Sequence, residues 1–154
     1  MKNVVVTGMG IISCIGSGLN EVLSSLKNGK SGIKSNPTYK EMGFRSHVSG
    51  SIDINLSELI DRKVLRFMSE ASGFAYLAAQ EALINAGLDL SSIDTSRIGI
   101  IAGSGGASSA AQIEASDIAR AKGPKRIGPY AVTKTMGSTV SAILGTTLKL
   151  KGVN

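Results

Sequence analysis

A repeated order of segments constrains the fold of this chain more than any other feature. A short aliphatic run leads into glycines and then into a helix-forming stretch, first at residues 4–7 before Gly8 and Gly10, and again at residues 97–102 before Gly103. Short β-branched runs that stop at glycine are typical of buried strands, and alternation of such strands with helices is typical of α/β folds. The pattern therefore predicts an α/β fold with a buried strand at each of the two runs.

Helical periodicity supports this fold class. Apolar residues recur at helical spacing from Leu19 to Leu26, and Gly29 is placed to end this first helix. The second helix is predicted to be long, to end at Gly87 and to be rich in alanine and serine, which would let another backbone pack closely. This second helix is predicted at residues 60–86. Further helices are predicted at 107–121 and 135–147, and an edge strand within 45–50.

The composition limits the partners and the compartment. The net charge of +6 favours an acidic partner, but only 4% of residues are aromatic, which disfavours stacking on nucleic-acid bases. A single cysteine excludes an internal disulfide and fits a reducing compartment. No apolar run approaches the roughly 18 residues that a membrane span needs, and the N-terminus lacks the pattern of a signal peptide. We therefore expect a cytoplasmic protein that binds neither nucleic acid nor membranes.

The two glycine loops do not complete a dinucleotide-binding fingerprint. That fingerprint needs a third glycine three residues after the second, and this chain has Ser13 and Ser108 at those positions. Glycines that serve tight turns are the favoured interpretation. A nicotinamide dehydrogenase of Rossmann type is retained as an alternative function.

Few residues suit catalysis or metal binding. Cys14 and His47 are the one pair able to form a thiolate–imidazole dyad, but Cys14 lies between isoleucines, as a small core residue does. One cysteine, one histidine and no carboxylate pair at ligand spacing predict no metal site.

The most informative charges are Arg62, Lys63 and Arg66, near the start of the predicted second helix. Cations are unfavourable at a helix N-terminus by about 0.3–1 kcal/mol each, so a cluster there suggests a binding role. Two interpretations stay open: a surface that grips an anionic partner, or a solvated face with Asp61 as partial partner.

The ordered set of segments resembles the N-terminal part of the β-ketoacyl–acyl carrier protein synthases, closest to the type I enzymes of bacterial fatty acid synthesis. The matching segments, which follow one another along essentially the whole chain, are residues 4–13, 29–33, 45–48, 61–68, 99–106 and 128–134.

The resemblance implies a thiolase-like α/β fold, of which residues 1–154 are the N-terminal half of a duplicated, layered α/β/α arrangement, incomplete. It implies a decarboxylative Claisen condensation of acyl and malonyl thioesters, with a nucleophilic cysteine and two histidines beyond Asn154. Neither Cys14 nor His47 matches these catalytic positions, so we expect no catalytic residue within this chain and no activity of the chain by itself. A non-catalytic chain-length partner that lacks the cysteine is a second alternative.

The resemblance also implies roles for residues inside the chain. The positions that match the docking surface for acyl carrier protein are Arg62, Lys63, Arg66, Lys125 and Arg126, and those that match the acyl pocket are Gly106, Gln112 and Met136. In the family the pocket is completed across a homodimer, and phosphopantetheine arrives on the carrier, so no dissociable cofactor is expected.

Overall fold

The computed structural model describes residues 3–105 and 108–154 and is dominated by helices. The helices in chain order are α1 (Leu19–Lys27), α2 (Pro37–Glu41), α3 (Leu56–Leu59), α4 (Arg62–Leu65), α5 (Glu70–Asn85), α6 (Ser109–Lys122), α7 (Ala131–Thr135) and α8 (Thr139–Thr147). Short 3₁₀ turns occupy Thr95–Arg97 and Pro124–Arg126. None of the helices in the described ranges is long and apolar enough to cross a membrane.

The described strands form two small antiparallel pairs. β1 (Ile12–Ser13) pairs with β2 (Gly16–Ser17), and β3 (Ile33–Ser35) pairs with β4 (Val48–Gly50). In the second pair Ile33 lies opposite Gly50, which places the edge strand predicted within residues 45–50 at the end of that segment.

The centre of the molecule is the packing of α5 against α8. Among the described residues, the buried apolar side chains are Val140 and Leu144 of α8, Val22 of α1, and Ile60 and Met68 from the segments that precede α5. At the start of α5, Ser72 is fully buried, and a Cβ on Gly73 would lie 2.6 Å from Leu56 Cδ1 of α3. Gly73 therefore leaves the space that the Leu56 side chain of α3 occupies against α5.

The first glycine loop also lies directly on α5. A Cβ on Gly8 would lie 2.2 Å from the carbonyl oxygen of Ala82, and a Cβ on Gly10 would lie 1.9 Å from that of Ala78. Only glycine fits at such distances. Gly8 and Gly10 thus have a structural role, but through their close approach to α5 rather than through the tight turns that the sequence predicted.

Glu81 of α5 holds this loop in place. Its two carboxylate oxygens accept hydrogen bonds from the backbone N–H groups of Ile11 at 2.9 Å and Leu19 at 2.7 Å. Because Leu19 is the first residue of α1, one side chain connects α5 to both the loop and the following helix.

The prediction of a buried strand at each of the two aliphatic runs is wrong for the described part of the chain. Val4 and Ile101 are 97% and 103% exposed, and neither run has strand geometry. Ile100 N–H donates to the Val153 carbonyl at 2.7 Å and Gly152 N–H donates to the Ile98 carbonyl at 3.1 Å, which is too little for a regular ladder. A strand exists only through its partners, and the described residues do not supply a ladder to either run.

The predicted second helix is interrupted. Instead of one helix over 60–86, α3 and α4 are short, and α5 starts at Glu70 with Ser69 as N-cap. Ser69 has extended backbone angles (φ −82°, ψ 168°), and its hydroxyl accepts the N–H of Ser72. The predicted end is confirmed, because Gly87 has φ +64° and Leu88 N–H donates to the Leu83 carbonyl at 2.9 Å.

The later helices follow the prediction with one further break. α6 corresponds to the helix predicted at 107–121, whereas α7 and α8 share the segment around the one predicted at 135–147. Met136 is extended (φ −70°, ψ 138°) and separates these two helices.

Candidate functional site

The basic residues near α4 form one exposed surface. Asp61 caps this helix, since its carboxylate accepts the backbone N–H of Lys63 at 2.7 Å. Arg62 and Lys63 lie in the single turn of α4, Arg66 is its C-cap, and all three side chains are exposed. We call Arg62, Lys63 and Arg66 the α4 surface.

The structure changes the reason for singling out these charges. They do not lie at the N-terminus of a long helix, because α4 has four residues and α5 begins only at Glu70. Contrary to the prediction, no dipole of a long helix opposes these cations, because so short a helix has a small dipole and Asp61 caps its start. What supports a binding role is the exposure of three cations within five consecutive positions.

Arg66 is held by two aromatic rings. Its Cζ atom lies 4.9 Å from the ring centroid of Phe67 and 5.2 Å from that of Tyr130, within the range of cation–π attraction. The two rings meet edge to face, with centroids 4.9 Å apart and an interplanar angle of 82°. Tyr130 immediately precedes α7, so these contacts fasten the α4 surface to the α7 region.

The second basic turn is also exposed. Lys125 and Arg126 lie in the 3₁₀ turn after α6, and both side chains face solvent. Gly123 precedes this turn with φ +85°, a conformation that glycine adopts without strain. The turn therefore presents its two cations at the end of α6.

An apolar groove of about 410 Å³ lies beside the α4 surface, between α4, α7 and α8. Lys63 and Met136 both line it, together with the Phe67 ring. The groove thus brings a residue matched to carrier docking and a residue matched to the acyl pocket onto one surface. We call it the α4 groove.

Met136 also lines a smaller cavity of about 170 Å³ with Ser108, the N-cap of α6. Gln112 lies one turn into α6, where its N–H donates to the Ser108 carbonyl at 3.1 Å, and its side chain is exposed. Gln112 lines neither of the two cavities that Met136 lines. Gly106, the third residue matched to the acyl pocket, lies outside the described residues.

The alternative dyad of Cys14 and His47 is not formed. Cys14 Sγ packs against backbone, since a Cβ on Gly32 or Gly50 would lie 2.7 Å or 3.0 Å from it. The His47 side chain is exposed, and no hydrogen bond joins it to Cys14 in the part of the chain that the structure describes. Across residues 3–105 and 108–154, no group of three or more histidine, cysteine, aspartate or glutamate residues is placed to hold a metal ion.

Sequence reasoning missed Tyr130 and Glu81 as residues that shape the site. Tyr130 belongs to a Gly-Pro-Tyr segment, and Glu81 is the acidic residue in the second half of α5. The break before α5 had a clearer signal, because Asn55, Asp61 and Ser69 are all good N-cap residues.

The α4 surface thus places exposed cations directly beside an apolar groove. Comparison with known families identifies the class of protein. Residues 1–154 match the model of the family described as "Beta-ketoacyl synthase, N-terminal domain", and the chain belongs to this family. The match to this family over residues 1–154 excludes the alternative of a Rossmann-type dehydrogenase.

Individual relatives agree with this assignment. The chain is 52% identical to 3-oxoacyl-[acyl-carrier-protein] synthase 1 of Haemophilus influenzae and 48% identical to the protein of that name from Escherichia coli, in each case over all of this chain and 38% of the relative. A β-ketoacyl synthase crystal structure from Burkholderia phymatum superimposes with a TM-score of 0.84 at 26% identity, covering 99% of this chain and 38% of that one. The predicted thiolase-like fold class is therefore confirmed, and the chain spans about two fifths of the length of these relatives.

Proposed function

We propose that the complete protein is a β-ketoacyl–acyl carrier protein synthase of fatty acid biosynthesis and that the α4 surface docks acyl carrier protein. The observation that supports this most directly is the position of Lys63, which belongs to the exposed basic surface and also lines the apolar α4 groove. An acidic carrier bound there would sit beside an apolar site. The 52% identical relative has acyl carrier protein in its name.

The proposed reaction is a decarboxylative Claisen condensation. A cysteine thiolate takes the acyl group from the carrier, forming a thioester and releasing the carrier thiol. Malonyl-carrier protein then loses carbon dioxide, and its carbanion attacks that thioester, so that a carbon–carbon bond forms and the thiolate is restored. We place this nucleophile and its two histidine partners outside residues 1–154, because neither Cys14 nor His47 is arranged for the step.

Within the chain, the proposed roles divide between two regions. Lys125 and Arg126 extend the docking surface, while Gly106, Gln112 and Met136 contribute to the acyl pocket. Gln112 and Met136 are exposed, which fits a pocket that a second copy completes in a homodimer. Phosphopantetheine arrives on the carrier, and the lone cysteine fits a cytoplasmic setting.

The docking role is tested by charge reversal in the complete protein. Each exposed ion pair contributes only about 0–1 kcal/mol, so all three residues of the α4 surface should be changed to glutamate together. We expect the dissociation constant for acyl carrier protein to rise and its dependence on salt to fall, since the Debye length shrinks from about 10 Å at 0.1 M to 3 Å at 1 M.

A matched control reverses the exposed residues Lys27, Lys30 and Lys34, which gives the same change in net charge away from α4. This control should bind the carrier as the unsubstituted protein does, and thermal unfolding should show that both variants are folded. Equal weakening by the two triple variants would mean that only net charge matters, and an unchanged affinity of the α4 variant would remove the docking role.

The non-catalytic chain-length partner is separated from a synthase by acylation. Incubation of the complete protein with labelled acyl carrier protein, followed by peptide mapping, should give one thioester at a cysteine other than Cys14. A protein that binds the carrier without acquiring a label would be a chain-length partner. Stoichiometric labelling of Cys14 would instead restore the dyad that the structure argues against.

A further inference from the structure

The guanidinium of Arg66 occupies the angle between two nearly perpendicular rings. Phe67 is the next residue in the chain, whereas Tyr130 comes from the turn before α7, more than sixty positions away. The Cζ atom lies at similar distances from both centroids, 4.9 Å and 5.2 Å. Both rings are half-buried, while Arg66 is exposed, so the rings form a fixed wall against which a surface cation rests.

These contacts place the Arg66 guanidinium without any side-chain hydrogen bond of Arg66 in the part of the chain that the structure describes. Its five N–H donors are therefore available to an anionic group. A guanidinium held in this way loses less conformational freedom when it binds a carboxylate or phosphate. Arg62 and Lys63 have no comparable aromatic contact among the described residues, so Arg66 is the pre-organised member of the α4 surface.

The same contacts connect the α4 surface to the α4 groove. Phe67 lines the groove and also meets Tyr130 edge to face. The Tyr130 carbonyl accepts the Thr133 hydroxyl at 2.9 Å, and Thr133 lines the groove as well. Tyr130 therefore contacts the cation on one side and is linked to the groove wall on the other.

We propose that Tyr130 is a positioning residue for carrier docking, which holds the Arg66 guanidinium in place for an acidic group of the carrier. This rests on the proposed function of the α4 surface. Cation–π contacts at exposed sites are worth about 0.5–1 kcal/mol, which corresponds to a two- to fivefold change in affinity. The proposal predicts an effect of this size on carrier binding, exerted through Arg66.

The test measures the dissociation constant of the complete protein for acyl carrier protein in five variants, which are Tyr130→Leu, Tyr130→Phe, Arg66→Gln, Arg66→Gln combined with Tyr130→Leu, and Arg66→Lys. Tyr130→Leu removes the ring and should weaken binding about two- to fivefold. Tyr130→Phe keeps a ring in the same place and should restore most of the affinity. Tyr130→Leu introduced into an Arg66→Gln background should have no further effect, because the cation that the ring holds is gone. Arg66→Lys keeps the charge, loses the planar group and should weaken binding about as much as Tyr130→Leu.

The outcomes separate this inference from the proposed function. If the unsubstituted protein binds the carrier and Tyr130→Leu binds equally well, Tyr130 has no positioning role and the docking surface stands. If Tyr130→Leu weakens binding as much with Arg66→Gln as with Arg66, the ring acts by another route and the inference fails. If Tyr130→Leu does not fold, Arg66→Lys decides, since wild-type affinity in that variant overturns the inference. Absence of salt-dependent binding by the unsubstituted protein would overturn both proposals.

Discussion

Substituting alanine for Gly10 should destabilise the protein strongly, although it adds a single methyl group. The added Cβ would lie 1.9 Å from the carbonyl oxygen of Ala78 and 2.8 Å from the backbone nitrogen of Ala82, whereas real Cβ contacts essentially never fall below 3.0 Å. Both atoms belong to the backbone of α5, so neither can rotate away. The loop must move by about 1.1 Å or more.

The cost follows from what that movement disrupts. Overfilling a packed contact costs about 1–3 kcal/mol. The neighbouring residue, Ile11, donates its N–H to the Glu81 carboxylate at 2.9 Å, and a hydrogen bond to a charged group contributes about 1.5–3 kcal/mol. We therefore expect Gly10→Ala to lower the free energy of unfolding by about 3–5 kcal/mol.

Gly103→Ala is the matched control, because a Cβ at Gly103 meets nothing within 4 Å and its φ is not positive. This change should alter stability by less than about 1 kcal/mol. Thermal unfolding of the two variants of the complete protein would be followed side by side by scanning fluorimetry. Equal melting temperatures for Gly10→Ala and Gly103→Ala would refute the argument that close approach to α5 fixes this loop.

Three further predictions concern other parts of the chain. Glu81→Gln should destabilise the protein by about 1.5–3 kcal/mol, because the backbone N–H of either Ile11 or Leu19 then faces an amide donor. Glu21→Gln, at an exposed carboxylate, is the control and should cost less, and equal losses of stability in thermal unfolding would contradict this prediction. Side-chain and backbone hydrogen bonds from Ser96, with a smaller effect of Lys151, lower the pKa of Asp94 below 3.8. The Asp94 carboxylate therefore stabilises the folded protein above pH 3.8, and this contribution is lost as the pH falls through the lower pKa of the folded state. Asp94→Asn should therefore be less stable than the unsubstituted protein at pH 7, with a difference that shrinks in acid unfolding below pH 3.8. Gly106→Ile should slow condensation of long acyl chains and spare short ones, because overfilling a channel costs about 1–3 kcal/mol, and equal losses for both primers would remove this residue from the acyl pocket.

Local signals in the sequence account for much of the fold. Helical spacing of apolar residues located α1, and glycine at position 87 correctly placed the end of α5, because helix ends depend on the conformation of one or two residues. The resemblance of ordered segments gave the family, which the match over residues 1–154 confirms. It also gave the α4 surface and the acyl-pocket residues, whose roles stay predictions.

Other features depended on contacts between distant segments. The aliphatic run at Val4 was predicted to be a buried strand, but it is exposed, and none of the described strands pairs with it. A β-ladder requires hydrogen bonds from a second segment, and a local sequence pattern does not specify that segment. The helix predicted over 60–86 is broken before α5, where Ser69 is the N-cap. Ser69 is a recognisable cap residue, but the break was not predicted because local propensity alone does not decide which of several possible caps is used.

The sequence by itself determined the family, the positions of most helices and the presence of a basic cluster, since these follow from residue order and local periodicity. Only the tertiary structure decided how that cluster is presented. It placed Tyr130 against Arg66 across more than sixty residues and brought Lys63 and Met136 to one groove. Side chains that are distant in sequence become neighbours through the packing of α4, α7 and α8, and no local pattern specifies that packing.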